Sequence, residues 1–248
     1  MHDFRTDSRQ FDVNVIRNGY PFHRLFLGDQ GLLAMKLERR VATQMGTTLY
    51  PPLAEVIARD RYTSVQREYP IAGELPSTVA QAIDTIVNQL RAPGQGRGAA
   101  RRRPNHFAEL AEIEAARRIR TPATSVSTIA DLFVEDYAEG PLFLEIKSPM
   151  PNLDICAESK KKMLIFQALN HGRRPQAYLG FPYDPFYPER YGHSFTRQIM
   201  DMQNEVLLGR QFWDKLGGTG AYETLLSIIE EVIQEGGGSQ SSSQLSLG

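Results

Sequence analysis

Residues 142-LFLEIKSP-149 decide how this chain is read. The run has the apolar character of a buried strand, yet it carries a glutamate and a lysine two residues apart. Side chains alternate faces along a strand, so Leu142, Leu144 and Ile146 point one way and Phe143, Glu145 and Lys147 the other. A carboxylate and an ammonium then share one face, and burying either is costly unless it is paired or holds a metal. The run before it, 127-STIADLFVED-136, is also strand-like and is interrupted by Asp131. Between them, Ala138-Glu139-Gly140-Pro141 reads as a turn, so the two form an antiparallel hairpin with Asp131 facing Glu145 and Lys147. Two carboxylates beside a lysine suit a hard divalent cation such as Mg²⁺, with the lysine addressing a water or the charge on a phosphoryl group. The alternative is an ordinary Asp–Lys or Glu–Lys pair at a strand end. A Glu-x-Lys triplet arises about once by chance in a chain of this size. This chain has a second, Glu158-Ser159-Lys160, in a polar helical stretch with no strand aspartate upstream; that one reads as the chance copy.

Outward from the hairpin, the pattern is α/β (α+β): a mixed sheet in the second half with helices around it. Leu33, Leu37, Val41 and Met45 recur every four residues and predict a helix over 32–45 that stops at Gly46. Residues 53–69 read as a half-buried helix. Residues 77–91 follow as a helix capped by Ser77 or Thr78, with Val79, Ile83, Ile86, Val87 and Leu90 on its inner side. The stretch 92-APGQGRGAARRRP-104 has no periodicity and reads as a loop or hinge; no strand precedes its glycines and no Lys-Ser/Thr follows, which excludes a phosphate loop. Asn105 caps a helix over 106–119. After the hairpin come a helix over 155–170 with Asn152 and Asp154 as caps, a strand opening 176-QAYLGFPYDPF-186, and helices near 199–216 and 221–235. The expected organisation is one domain over 1–235, comprising a helical region at 21–120, a catalytic sheet core at 126–186 and C-terminal helices at 199–235. The tail 236–248, GGGSQSSSQLSLG, is low-complexity and expected to be disordered.

Composition narrows the class. At 248 residues the chain can bury a sizeable core, and 41% hydrophobic with 23% charged residues is ordinary for a globular protein. No apolar run approaches the ~18 residues of a membrane span, and the N-terminus lacks a signal-peptide core. One cysteine, Cys156, excludes an intrachain disulfide framework and fits a reducing, cytoplasmic setting. The net charge of −1 argues neither for nor against nucleic acid, but basic residues cluster at 97–104, 117–120, 160–162 and 173–174. Gly-x-Ser-x-Gly, His-Glu-x-x-His and cysteine-based zinc spacings are absent, which argues against serine-hydrolase and zinc-enzyme readings.

Asp131 followed by Glu145-x-Lys147 resembles the active-site signature of the PD-(D/E)XK nuclease superfamily. The runs 145-EIKSPMPNLDICAESKKKMLIFQALN-170, 180-GFPYDPFYP-188 and 199-IMDMQNEVLLGRQFWDKLGG-218 resemble the type II restriction endonucleases of the TdeIII-like family. The likeness extends from about Pro21 through Leu226 and is weakest across the arginine-rich hinge. Ala130 stands where the superfamily's proline would precede the aspartate, a departure common in that superfamily. The resemblance implies a restriction-endonuclease-like core with a mixed sheet, a helical N-terminal part, and Mg²⁺-dependent cleavage of duplex DNA, with Mn²⁺ as a substitute. It implies a short palindromic site, GGNCC for the family's name-bearer, and 5′-phosphate ends. It also implies a homodimer in a bacterial or archaeal cytoplasm, and a cognate DNA methyltransferase that is not a stable subunit. Carried over by position, Asp131, Glu145 and the backbone carbonyl of Ile146 would hold metal, and Lys147 would address the attacking water.

Other residues stand with two readings each. Glu38, beside the apolar stripe of the first helix, is either an additional acid directed at the metal, as related folds supply, or an exposed helix charge. Arg101, Arg102, Arg103, Lys160, Lys161, Lys162, Arg173 and Arg174 suit DNA phosphates, or else are solvated. Trp213 beside Phe212 and Leu216 reads as core; His193 has no partner visible in the sequence. Two other functions share this pattern: a repair or junction nuclease of the same superfamily, and a DNA-binding module that kept the fold and lost turnover.

Overall fold

The structure is a computed structural model that describes residues 21–92 and 102–241. By its contacts the chain divides into two units, Met1–Leu49 and Tyr50–Gly248. In the first unit, α1 (Pro21–Gln44) is broken at Gly28, whose φ of 65° and ψ of 178° leave the helical region. It continues into a π-helical turn, Met45–Leu49. The helix therefore starts eleven residues before the expected position, and Gly46 lies within the turn instead of ending the helix. The earlier start was hidden because Leu25, Phe26 and Leu27 are consecutive and exposed, so they add no four-residue period.

The second unit holds a five-stranded mixed sheet in the order β1-β2-β3-β4-β5, built from Val65–Pro76, Ala123–Val134, Leu142–Ile146, Gln176–Phe181 and Val206–Leu208. β1 pairs antiparallel with β2, and β2 with β3; β3, β4 and β5 run parallel. The hairpin read from the sequence is present. Its turn needs Gly140, at φ 122°, because a Cβ there would lie 2.2 Å from the Arg174 carbonyl oxygen.

Helices cover both faces. On one side lie α3 (Ser77–Arg91), α4 (His106–Arg117), α5 (Leu153–Leu169) and α6 (Ser194–Ile199); Val79, Ile83, Ile86, Val87 and Leu90 of α3 pack with Phe133, Phe143 and Phe166. On the other lie α2 (Tyr50–Arg61), α7 (Arg210–Gly217) and α8 (Ala221–Ser241), whose Ala54, Phe212, Trp213 and Leu225 meet Leu132, Leu142, Leu144 and Ile146. The alternation predicted for 142–147 thus holds: Leu142, Leu144 and Ile146 share one core, and Phe143 faces the other. Trp213 is core, as expected, and its indole N–H donates to the Pro182 carbonyl at 2.8 Å. Among the described residues no helix is long and apolar enough to cross a membrane.

Several assignments are corrected. Residues 65–69 belong to β1, not to a helix extending to 69. β1 is an edge strand with one neighbour, which lets it carry Pro70 and exposed charges that obscure a period of two. The expected helix at 199–216 is in fact the end of α6, the short strand β5 and α7. The start of α3 has no side-chain cap; Thr78 instead donates to the Ala116 carbonyl at 2.9 Å and ties α3 to α4. Asn105 and Asn152 do cap α4 and α5, accepting from Ala108 and Ile155, whereas Asp154 pairs with Arg91 of α3. α8 extends through Ser241, beyond the boundary read at 235.

Candidate active site

β2 and β3 pair residue by residue from Val134↔Leu142 to Leu132↔Leu144. One further step would set Asp131 opposite Glu145, and there the regular ladder gives way. The Ile146 amide donates to Asp131 Oδ2 at 2.7 Å, and the Lys147 amide donates to the Gly180 carbonyl of β4 at 3.1 Å. β1 is distorted at the same level: between Arg67↔Leu132 and Tyr69↔Ala130, Glu68 takes a φ of 49°. A non-glycine residue at positive φ is uncommon and marks a locally constrained backbone. The strands thus part where the charged side chains begin.

Lys147 Nζ lies 2.8 Å from both Asp131 Oδ2 and Glu145 Oε1. A second ammonium, that of Lys162 on α5, donates to the same Glu145 oxygen at 2.9 Å. Glu145 is 1% exposed, and its Oε2 is buried with no hydrogen-bond partner. Burial, reinforced by the Asp131 charge, pushes the Glu145 carboxyl above the usual range despite the two lysines. Burial works to lower Lys147, but Glu145 and Asp131 outweigh it and hold the ammonium above its ordinary value.

This donor set fits a small hard cation. The two carboxylates already converge on one point at hydrogen-bond distance, and one buried oxygen has no partner. Among the described residues no three His, Cys, Asp or Glu side chains cluster as a metal cage. Mg²⁺ does not need one, since it is commonly held by one or two carboxylates with waters and substrate phosphates completing the octahedron.

The sequence profile of the family described as "Type II restriction endonuclease, HinfI" matches residues 3–233. The chain belongs to this family of type II restriction endonucleases. The resemblance read from the sequence to type II restriction enzymes is thereby borne out, and the family matched carries the HinfI description. Among curated relatives, the type II restriction enzyme HgiCII of Herpetosiphon aurantiacus is 29% identical over 216 residues, spanning 86% of this chain and 77% of its own length. HgiBI and HgiEI of the same organism are each 28% identical over 220 residues, covering 86% of this chain and 76% of theirs. No solved structure matches significantly.

The remaining site residues of this restriction enzyme fall in different places. Lys160, expected on DNA phosphates, is fully buried. Its Nζ sits 2.5 Å from both Glu109 Oε2 and Glu205 Oε1, with no access for a ligand. That assignment is corrected: the "polar stretch" around Glu158 is half core. Lys161 is exposed and pairs with Asp84 of α3 at 2.6 Å. Arg102 is held by Glu112 and Gln89, and Arg173 by Glu135. Arg103 and Arg174 are exposed; Arg101 lies outside the described residues. Glu38 is exposed on α1 of the first unit, whereas the group around Glu145 is built wholly from the second. Lys162 reads in sequence only as a phosphate or solvent-facing lysine; nothing in 160-KKK-162 sets its third lysine against Glu145 until the helix places it.

Proposed function

We propose that the chain is a PD-(D/E)XK enzyme that hydrolyses phosphodiester bonds in duplex DNA, Mg²⁺-dependent, at a short palindromic site, leaving 5′-phosphates. Asp131, Glu145 and the Ile146 carbonyl would hold the ion, with Mn²⁺ a substitute; GGNCC is the site that the family resemblance supplies. When bound, the ion offsets charge on the phosphoryl oxygens and makes a bound water more acidic. Lys147, its pKa raised, is a cation at neutral pH, so it serves as a donor that orients the attacking water and steadies developing charge, not as a base. Lys162 holds Glu145 from the helix side. The enzyme works as a homodimer matching a two-fold site, in the cytoplasm, beside a separate protective methyltransferase.

The observation that carries this reading is the one ammonium of Lys147 at 2.8 Å from two carboxylates, at the point where β2 and β3 part. Digestion of a sequenced plasmid in Mg²⁺ buffer, with an EDTA control, tests it. Discrete fragments appearing only with Mg²⁺ are expected, and the sequenced fragment ends give the site and the stagger. Lys147→Ala is expected to lower the cleavage rate by about 10²–10³. Plasmid left intact by the folded wild-type enzyme, or full activity in Lys147→Ala, overturns the reading.

A further inference from the structure

Arg103 before α4, Arg190 after β4 and Arg197 on α6 line one open groove of about 780 Å³ in the second unit. All three are exposed, and none has an ion-pair or hydrogen-bond partner for its guanidinium among the described residues. Several other arginines are paired: Arg102 next to the groove is bound to Glu112, Arg91 to Asp154, Arg67 to Glu55 and Arg117 to Glu114. The groove holds one acid, Asp201, and its carboxylate is already engaged, accepting from the His106 amide at the start of α4 and from the Gln203 and Asn204 nitrogens of its own loop. Three guanidiniums against one occupied carboxylate leave a positive surface with no internal counter-charge.

The groove is also tied to the segment that follows the candidate active site. Tyr191, between Arg190 and Gly192 of the groove, donates its hydroxyl to the Pro149 carbonyl. Pro149 follows Lys147 by two residues, a reach of at most ~7 Å of chain. On its other side the groove is braced by Gln198, which donates to the Leu90 carbonyl at the end of α3 at 2.9 Å. The positive surface is therefore fixed to rigid elements and tied to the segment that follows Lys147.

We infer that Arg103, Arg190 and Arg197 form a docking groove for the phosphate backbone of the duplex DNA that the enzyme cleaves. This rests on the reading of the chain as a duplex-DNA endonuclease. Guanidinium is the group suited to phosphate oxygens, and each phosphate neutralised releases condensed counterions, so affinity becomes steeply salt-dependent. The groove positions the duplex, and base recognition lies elsewhere.

The test is the binding of short fluorescent duplexes, with and without the cleaved site, by the full chain in EDTA across a salt series. Arg190→Ala/Arg197→Ala is expected to lower the slope of log affinity against log salt by about 2, from ~0.9 per contact, on both duplexes alike. Arg190→Lys/Arg197→Lys, keeping the charges, is expected to retain most of the slope. Arg118→Ala/Arg120→Ala, the same charge loss at the far end of α4, serves as the comparison. An unchanged slope in the groove variant, an equal fall in the α4 comparison, or a loss confined to the duplex carrying the site overturns the groove. Plasmid cleavage by the wild-type enzyme judges the endonuclease reading separately: a cleaving enzyme with an unchanged slope in the variant loses only the groove.

Discussion

Glu145 accepts two ammoniums on one oxygen and nothing on the other, and it is nearly closed to water. Its carboxyl is raised above the ordinary range, first by burial and then by Asp131. A group whose folded pKa is raised contributes stability below its unfolded pKa and loses it as pH rises through the folded value. Ionising Glu145 therefore works against the fold, while metal binding needs it ionised. Glu145→Gln is expected to abolish cleavage and to be at least as stable as wild type in urea at neutral pH, the difference closing as pH falls below the unfolded value. At Mg²⁺ too dilute to saturate the site, wild-type cleavage is expected to fall with acidification while still above the pH at which an ordinary glutamate titrates. A variant clearly less stable at neutral pH would show that the charge supports the fold. The trio Asp131, Glu145 and Lys147 was legible because strand alternation places it on one face. Lys162 was not: successive helical residues turn about 100°, so three identical lysines serve three ends, Lys160 the core, Lys161 Asp84, and Lys162 Glu145.

At the scale of elements, the buried charges join what the apolar cores do not. Lys160 of α5 meets Glu109 of α4 and Glu205 before β5, while His106 Nδ1 lies 3.2 Å from Glu205 Oε1. Burial opposes ionisation of Glu205, but Lys160 and His106 more than offset it and hold its carboxyl below the usual range. Lys160→Met removes the cation and strands two carboxylates in the interior, which costs about 3–5 kcal/mol. Urea unfolding at neutral pH is expected to show that loss. The part owed to Glu205 is present above its unfolded pKa and disappears as pH falls through the lowered folded one, so the wild-type advantage narrows in acid. Weakened DNA binding without lost stability would return Lys160 to the surface role first read for it. This tie was invisible in sequence, since a lysine forty-five residues from its glutamate looks like any solvated charge. The helices with a strong apolar period, α3 above all, were legible; β1 was not, because an edge strand buries too few residues to print an alternation through Pro70, Gly73 and its charges.

For the molecule as a whole, a net charge of −1 means that nothing global draws it to DNA; attraction must come from where charge is left uncompensated. One chain presents one trio of Asp131, Glu145 and Lys147 among its described residues, yet cutting a duplex breaks two strands of opposite polarity. Two copies related by a two-fold axis answer this directly, since the symmetry of a palindrome then matches that of the enzyme. If the homodimer is the working unit, wild-type and Glu145→Gln chains allowed to exchange subunits will form mixed dimers with one competent site. On supercoiled plasmid the mixture is expected to accumulate nicked circles, which neither the wild-type enzyme, giving linear product, nor the inert variant produces in quantity. A monomer acting twice would instead give the wild-type product pattern at a rate scaled to the competent fraction, with no excess of nicks.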